Sequence, residues 1–266
     1  MFDESPENAW ELRFGTPPGA LPNLEKFLNH RSVRKYTAEP VGEDVVRGLV
    51  GAAQSAATSS NLQLWSVVSV QEPPRRQRIA ELCGNQQQVK DAAWFFAFLV
   101  DHYRLDQAAR AVGETAAGLD YNEFYTMAVV DVALAAERMV CAAESLGLGI
   151  CYIGALRNDP YAVRDLLELP EQTFGVFGLC LGWPDESQPA EIKPRLSPES
   201  VWFRETYSRN HNIAEYDARM SAFYEAQQMK GDVTWSMRSG RRVDGNHMTG
   251  REVLKDFLNS QKLDRR

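Results

Sequence analysis

Four potential cations and a hydroxyl fall within six residues at His30-Arg31-Ser32-Val33-Arg34-Lys35. Guanidinium forks and a serine hydroxyl suit a phosphate dianion, which takes paired charge-assisted hydrogen bonds. A solvated basic turn would have the same composition, and the hexapeptide alone does not choose. A second cation pair stands at Lys193-Pro194-Arg195, where the proline stiffens the backbone between two side chains that could converge on one phosphate. Surface decoration is an equal reading of it. Two polar stretches, Ala57-Thr58-Ser59-Ser60-Asn61-Leu62-Gln63 and Gly84-Asn85-Gln86-Gln87-Gln88, offer hydroxyls and amides to the edge of a polar heterocycle, or simply make turns.

Other chemistries find no residues. The chain has no Gly-x-x-x-x-Gly-Lys-Ser/Thr phosphate loop and no Gly-x-Ser-x-Gly elbow. His30, His102, His211 and His247 are scattered, so no metal site is expected. Gly147-Leu148-Gly149 imitates half of a dinucleotide fingerprint, but it follows a helical pattern and lacks the third glycine, so it reads as a helix stop. A net charge of −7 argues against nucleic acid or an anionic membrane as the main partner. The sequence holds no apolar run long enough to span a bilayer. Its acidic start, Met1-Phe2-Asp3-Glu4, does not read as a signal peptide. Cys83, Cys141, Cys151 and Cys180 form no Cys-x-x-Cys pair and read as inert thiols of a cytoplasmic protein. From Lys230 onward nine Lys/Arg face five Asp/Glu, a mildly basic tail in an acidic chain. It reads either as a meeting place for an anion or as a solvated segment.

The elements that must position these residues alternate in type. Residues 1–22 are rich in Pro, Gly and acids and read as an arm with little regular structure. Helical patterns follow over residues 24–28, 42–57 and 77–82. Short apolar, β-rich runs at 64–70 and 93–100 read as strands, the second buried on both faces. Residues 121–146 form the longest helical pattern, apolar on almost every face from Met127 to Ala143. Such a helix must be covered on all sides, most simply at the centre of a dimer. A strand or loop at 150–154, a helix at 160–169, a strand at 174–181 and helices at 215–228 and 250–263 complete a chain of α+β or α/β class.

The motifs together are more specific than any one alone. His30-Arg31-Ser32-Val33-Arg34-Lys35-Tyr36 resembles the opening motif of the nitroreductase family. The run from Ala142 to Asn158, and Phe177-Gly178-Leu179-Cys180-Leu181-Gly182-Trp183-Pro184 followed by Lys193-Pro194-Arg195-Leu196-Ser197-Pro198, resemble its oxygen-insensitive NADPH nitroreductase and NADPH-flavin oxidoreductase branch. The blocks keep their order from about Asn29 to Trp235. The resemblance implies a nitroreductase-like α/β sandwich, a homodimer with a central buried helix, and FMN as cofactor. It divides the chain into an N-terminal arm over residues 1–28 and an FMN-binding domain with a helical extension over 29–266. By position, His30, Arg31, Ser32 and Arg34 match flavin-binding residues, with Arg34 at the N1–O2 edge. Lys193 and Arg195 match the phosphate pair, and Thr58 and Gln86 match polar contacts. Tyr152, Ile153 and Gly154 match a segment giving backbone contacts, and Glu123 an acid beside the ring.

The implied activity is hydride transfer from NADPH or NADH to FMN, then to a small planar electron-poor acceptor such as a nitroaromatic, a quinone or free flavin. Arg34 and Glu123 would stand at the reacting ring. A flavin reductase supplying free reduced FMN and a non-catalytic flavin-binding protein are the alternatives. NADPH-preferring relatives carry an Arg-rich loop before a Thr-Trp pair. Here Gln228-Met229-Lys230-Gly231-Asp232-Val233-Thr234-Trp235 keeps one cation, Lys230, with Arg238, Arg241 and Arg242 beyond it. Lys230 and Arg238 are therefore the expected nucleotide contacts, and the preference for NADPH is expected to be modest.

Overall fold

The computed structural model describes residues 4–19, 24–209, 211–229, 233–263 and 266. In chain order the elements are α1 (Pro6–Phe14), α2 (Glu25–Leu28), α3 (Glu43–Gln54), β1 (Trp65–Ser69), α4 (Pro73–Leu82), α5 (Gln87–Asp91), β2 (Trp94–Asp101), α6 (Tyr103–Ala111), α7 (Asn122–Ser145), β3 (Gly149–Ile153), α8 (Pro160–Leu167), β4 (Thr173–Gly182), α9 (Ala214–Ala226), α10 (Trp235–Arg242) and α11 (Leu254–Ser260). They fall into two compact units, one of Met1–Arg31 with Ala190–Met248, the other of Ser32–Pro189 with Thr249–Arg266.

The larger unit is built on an antiparallel sheet of order β1-β2-β4-β3. Alternation along β2 divides its side chains between two cores. Phe96, Phe98 and Val100 face a core with Leu49 of α3 and Val132, Ala136, Met139 and Val140 of α7. Phe95, Ala97 and Leu99 face the opposite core with Ile79 of α4 and Val163 of α8. A sheet covered on both faces must be apolar throughout, and all but the first residue of β2 is buried. Each fully buried large side chain stabilises the fold by roughly 1.5–3 kcal/mol. Glu43 and Asp44 in the first turn of α3 suit its positive end. Pro160 opens α8, while the Asp159 side chain accepts from the Ala162 N–H at 2.9 Å.

Helix α7 buries Ala128, Val132, Ala135, Ala136, Met139 and Val140 but leaves Val130 50% and Leu134 43% exposed, so one chain covers only part of its apolar surface.

In the smaller unit the reading of residues 1–22 as an arm with little regular structure is corrected. Ser5 caps α1 by accepting from the Asn8 N–H at 3.2 Å, Pro6 takes the first helical position, and Gly15 closes the helix at φ +72°. The pattern missed this helix because its faces carry little apolar contrast: Ala9 is buried while Leu12 is exposed. Tyr216 and Met220 of α9 form the buried apolar positions that Trp235 of α10 joins, its ring 5.4 Å from Tyr216. Across the two units three more helices, α5, α6 and α10, have no counterpart in the pattern, and the expected helix at 250–263 begins instead as a 3-10 turn at Arg251–Val253 before α11.

Candidate active site

The boundary between the units falls inside the first motif, between Arg31 and Ser32. Residues beyond it lie along the sheet edge. Ser32 pairs in parallel with Ile150 of β3, and the Val33 N–H donates to the Ile150 carbonyl at 2.8 Å. The Thr37 N–H donates to the Trp183 carbonyl at 2.9 Å, and the Tyr36 hydroxyl to the Val33 carbonyl at 2.8 Å. Burial holds the Tyr36 phenol well above its usual pKa, so it remains a donor. The close approach requires Gly149: a Cβ there would come within 2.7 Å of Val33 Cγ2 and 2.8 Å of Pro184 Cγ. With Val33 buried, alternation turns Arg34 outward. Its exposed guanidinium makes one hydrogen bond among the described residues, to the Ser32 carbonyl at 3.3 Å, so it can be redirected to a ligand at little cost.

Thr58 and Gln86 are placed less simply than their motif positions implied. The Thr58 hydroxyl donates to Asp131 of α7 at 2.5 Å and accepts from the Gln63 N–H at 2.9 Å. It is committed to the protein as the organiser of a loop. Asp131 also accepts from the Ser59 N–H at 3.2 Å and the Leu64 N–H at 3.1 Å. Between these anchors Ser60, Asn61 and Gln63 all take positive φ, at 50°, 55° and 52°. Three non-glycine residues in that region store strain that the Asp131 contacts hold in place. Gln86 donates to the Cys83 carbonyl at 2.9 Å and accepts from Gln88 at 2.8 Å, which fixes the Gly84–Gln88 turn. Ligand contact from these loops would therefore come from neighbouring groups and remaining amide protons. Asp131 is hard to single out in the sequence because one acid in an otherwise apolar helix carries no pattern of its own. The available signal was that a lone acid among buried positions must have donors.

On β3, Tyr152 is partly exposed and its hydroxyl donates to Glu137 at 3.1 Å; burial first, then the Glu137 charge, raise the phenol pKa. Ile153 is buried and Gly154 half-buried. Glu123 is exposed on the first turn of α7.

The smaller unit holds the rest. His30 is half-buried, and Arg31 is buried and ion-paired with Glu4 at 3.8 Å. Lys193 and Arg195 are exposed on either side of buried Pro194. Their loop is fixed through its backbone: the Pro194 carbonyl accepts from Tyr216 at 3.2 Å and the Arg195 carbonyl from Arg219 at 3.0 Å. Among the described residues, Arg195 meets no acid; its guanidinium reaches only the Lys193 and Pro194 carbonyls, at 3.4 Å each. Arg238 is exposed on α10, stacked 5.0 Å from the Tyr224 ring centroid and 3.7 Å from Met229 Sδ. The expected contact at Lys230 lies outside the described residues.

Each unit, taken by itself, offers donors of a kind that part of an FMN molecule takes. Two exposed cations on a rigid loop suit one phosphate, and an outward arginine beside a strand edge suits the electron-rich edge of a flavin. Among the described residues no cluster of His, Cys, Asp and Glu could hold a metal, and no helix is long and apolar enough to cross a membrane. Cys83, Cys151 and Cys180 are buried and Cys141 half-buried, and desolvation pushes the Cys83 thiol up to about 12.

Comparison with known proteins places the chain. The family model described as Nitroreductase family matches residues 28–183, and that described as Nitroreductase family, C-terminal domain, matches residues 193–266. The FMN reductase (NADPH) of Bacillus subtilis (strain 168) is 38% identical over 220 residues, covering 80% of this chain and 88% of the relative. The NADPH-flavin oxidoreductase of Vibrio harveyi is 35% identical over 246 residues, covering 91% and 98%. Among solved structures, B. megaterium NfrA1 matches with a TM-score of 0.85 at 35% identity, covering 91% of this chain and 98% of that one. The NADPH:FMN oxidoreductase from Vibrio harveyi complexed with NAD+ matches with a TM-score of 0.81 at 36% identity, covering 91% and 99%. With both models matched in order and relatives aligned over most of its length, the chain belongs to the nitroreductase family.

Proposed function

We propose that the protein is an FMN-dependent NAD(P)H oxidoreductase that passes electrons to nitroaromatic, quinone or flavin acceptors. The observation that carries this reading is the pinned Lys193-Pro194-Arg195 loop, with an Arg195 free of acidic partners among the described residues, in a chain whose relatives are named FMN reductase (NADPH) and NADPH-flavin oxidoreductase. When bound, FMN would supply the two-electron redox chemistry between the reduced nicotinamide and the acceptor.

The chain's own residues bind and orient. Lys193 and Arg195, with His30 and Arg31, hold the phosphate. Ser32 and Arg34 would hold the ring, Arg34 supplying a positive charge that would favour an electron-rich flavin. The backbone of Tyr152, Ile153 and Gly154 lines the ring, and the Thr58 and Gln86 loops supply polar contacts around it. Glu123 stands beside it. No side chain need act as nucleophile or general base. NADPH or NADH is the donor, and Arg238 and Lys230 meet its ribose phosphate.

Residues 29–266 form the FMN-binding domain and 1–28 its arm. The protein works as a homodimer, since pairing would cover the exposed Val130 and Leu134 of α7. Its cysteines, three of them buried and none in a Cys-x-x-Cys pair, suit a reducing cytoplasm. Acid extraction of the purified, FMN-supplemented protein, followed by chromatography, tests the reading. One FMN per chain is expected; FAD, or no flavin, would overturn it.

A further inference from the structure

Resting on the assignment of His30-Arg31 and Lys193-Arg195 to the phosphate, we infer that Arg13 positions these two cationic segments relative to each other. Arg13 lies on α1, outside the residues that the family model matches. Its side chain is only 7% exposed. The guanidinium Nη2 donates to the Leu28 carbonyl at 2.7 Å and to the His30 carbonyl at 2.9 Å. The carbonyl of the same residue accepts from the Arg195 N–H at 2.8 Å. A single buried residue thus ties the peptide preceding Arg31 to the backbone of Arg195.

The surrounding packing leaves this link little freedom. Gly15, at φ +72°, ends α1 so closely against Arg219 that a Cβ would come within 2.4 Å of Arg219 Cδ. Arg219 in turn donates to the Arg195 carbonyl at 3.0 Å. Both polar ends of Arg195 are therefore fixed, one from α1 and the other from α9, while its side chain stays exposed. A guanidinium taken out of water is costly unless its donors are used. Here a single terminal nitrogen, Nη2, serves two carbonyls, those of Leu28 and His30. The consequence is preorganisation: without Arg13, the phosphate would have to order two separate cationic segments as it binds.

The test compares FMN with riboflavin, which has the same ring and ribityl chain but no phosphate. Dissociation constants for both are measured on the apoprotein by flavin fluorescence quenching, for the wild type, Arg13→Met, Arg13→Lys and Arg195→Ala. Arg13→Met should weaken FMN about tenfold, the equivalent of one charged hydrogen bond, and leave riboflavin unchanged. Arg13→Lys, which keeps the charge and can fill one carbonyl, should recover part of the loss and serves as the test if Arg13→Met does not fold. Equal weakening of both flavins would mean that Arg13 is merely structural and would overturn the inference. So would intact discrimination in both Arg13 variants when Arg195→Ala abolishes it. If Arg195→Ala also leaves discrimination intact, the phosphate assignment itself fails, and the inference with it.

Discussion

The Thr58 hydroxyl donates to the Asp131 carboxyl group over 2.5 Å, joining residues 73 positions apart in the chain. The other Asp131 oxygen accepts from Ser59, and Leu64 donates to the one shared with Thr58. Replacing Asp131 with asparagine keeps the shape but turns one acceptor into a donor, facing either the Ser59 N–H or both Thr58 and the Leu64 N–H. Asp131→Asn should cost about 1–3 kcal/mol of stability, the usual loss for a buried group left mismatched. It should weaken FMN binding as well, since the strained 58–64 loop loses its anchor. Chemical denaturation and flavin titration check this; an unchanged midpoint and affinity would show that the loop holds itself.

Arg34 and Arg195 should separate by role. Arg195→Ala should weaken FMN binding and recover its rate of flavin reduction when FMN is saturating. Arg34→Ala should stay impaired at saturation, by about 1–3 kcal/mol for a charged hydrogen bond at the ring. Rapid-mixing kinetics at saturating FMN decide the matter, and equal recovery of both would reverse the assignment.

His102 makes stability depend on pH. The ring is fully buried, Nε2 meets the Phe124 carbonyl at 3.1 Å, and Nδ1 has no partner among the described residues. Burial lowers its pKa, with the Phe124 and Asp101 contacts acting in the opposite direction. A depressed histidine contributes stability that is complete above the unfolded pKa, about 6.5, and is lost as pH falls toward the folded value. The thermal unfolding midpoint should therefore fall on acidification from about pH 6.5. His102→Gln should flatten that part of the profile, although it lowers the plateau. An identical slope in the variant would assign the dependence elsewhere.

Discrimination between nucleotides should be modest. Arg238 is engaged with Tyr224 and Met229, and Arg242 donates to the His247 carbonyl at 2.9 Å. Exposed single contacts are worth about 1 kcal/mol and are screened by salt. Steady-state kinetics should show NADPH favoured over NADH by about tenfold, with the factor falling as ionic strength rises. A hundredfold, salt-insensitive preference would require a closed arginine pocket.

The parts of this fold that sequence conveyed were those with strong periodicity or strong stops. The β2 and β4 runs, the long α7 and the Gly147 stop emerged because burial on two faces or an abrupt turn leaves a plain pattern. The short α1 and α10 did not, since few of their side chains are buried and polar caps rather than apolar stripes define them. Among the candidate site residues, the exposed cations Arg34, Lys193 and Arg195 stand out in the sequence as charge clusters. Arg13 and Asp131 do not: each acts by satisfying main-chain groups far away in sequence, a relation that composition does not carry. Thr58 shows the converse, because its motif position suggested a ligand contact while its hydroxyl serves the loop.

The central claim, that this chain uses bound FMN to take electrons from a reduced nicotinamide, is tested most directly by anaerobic titration of the FMN-loaded protein with NADPH, followed by its absorbance. The account predicts that the flavin band bleaches with one NADPH per FMN and returns when a quinone is added. A flavin band that persists with excess NADPH and with excess NADH would contradict it, leaving a protein that binds the cofactor without using it.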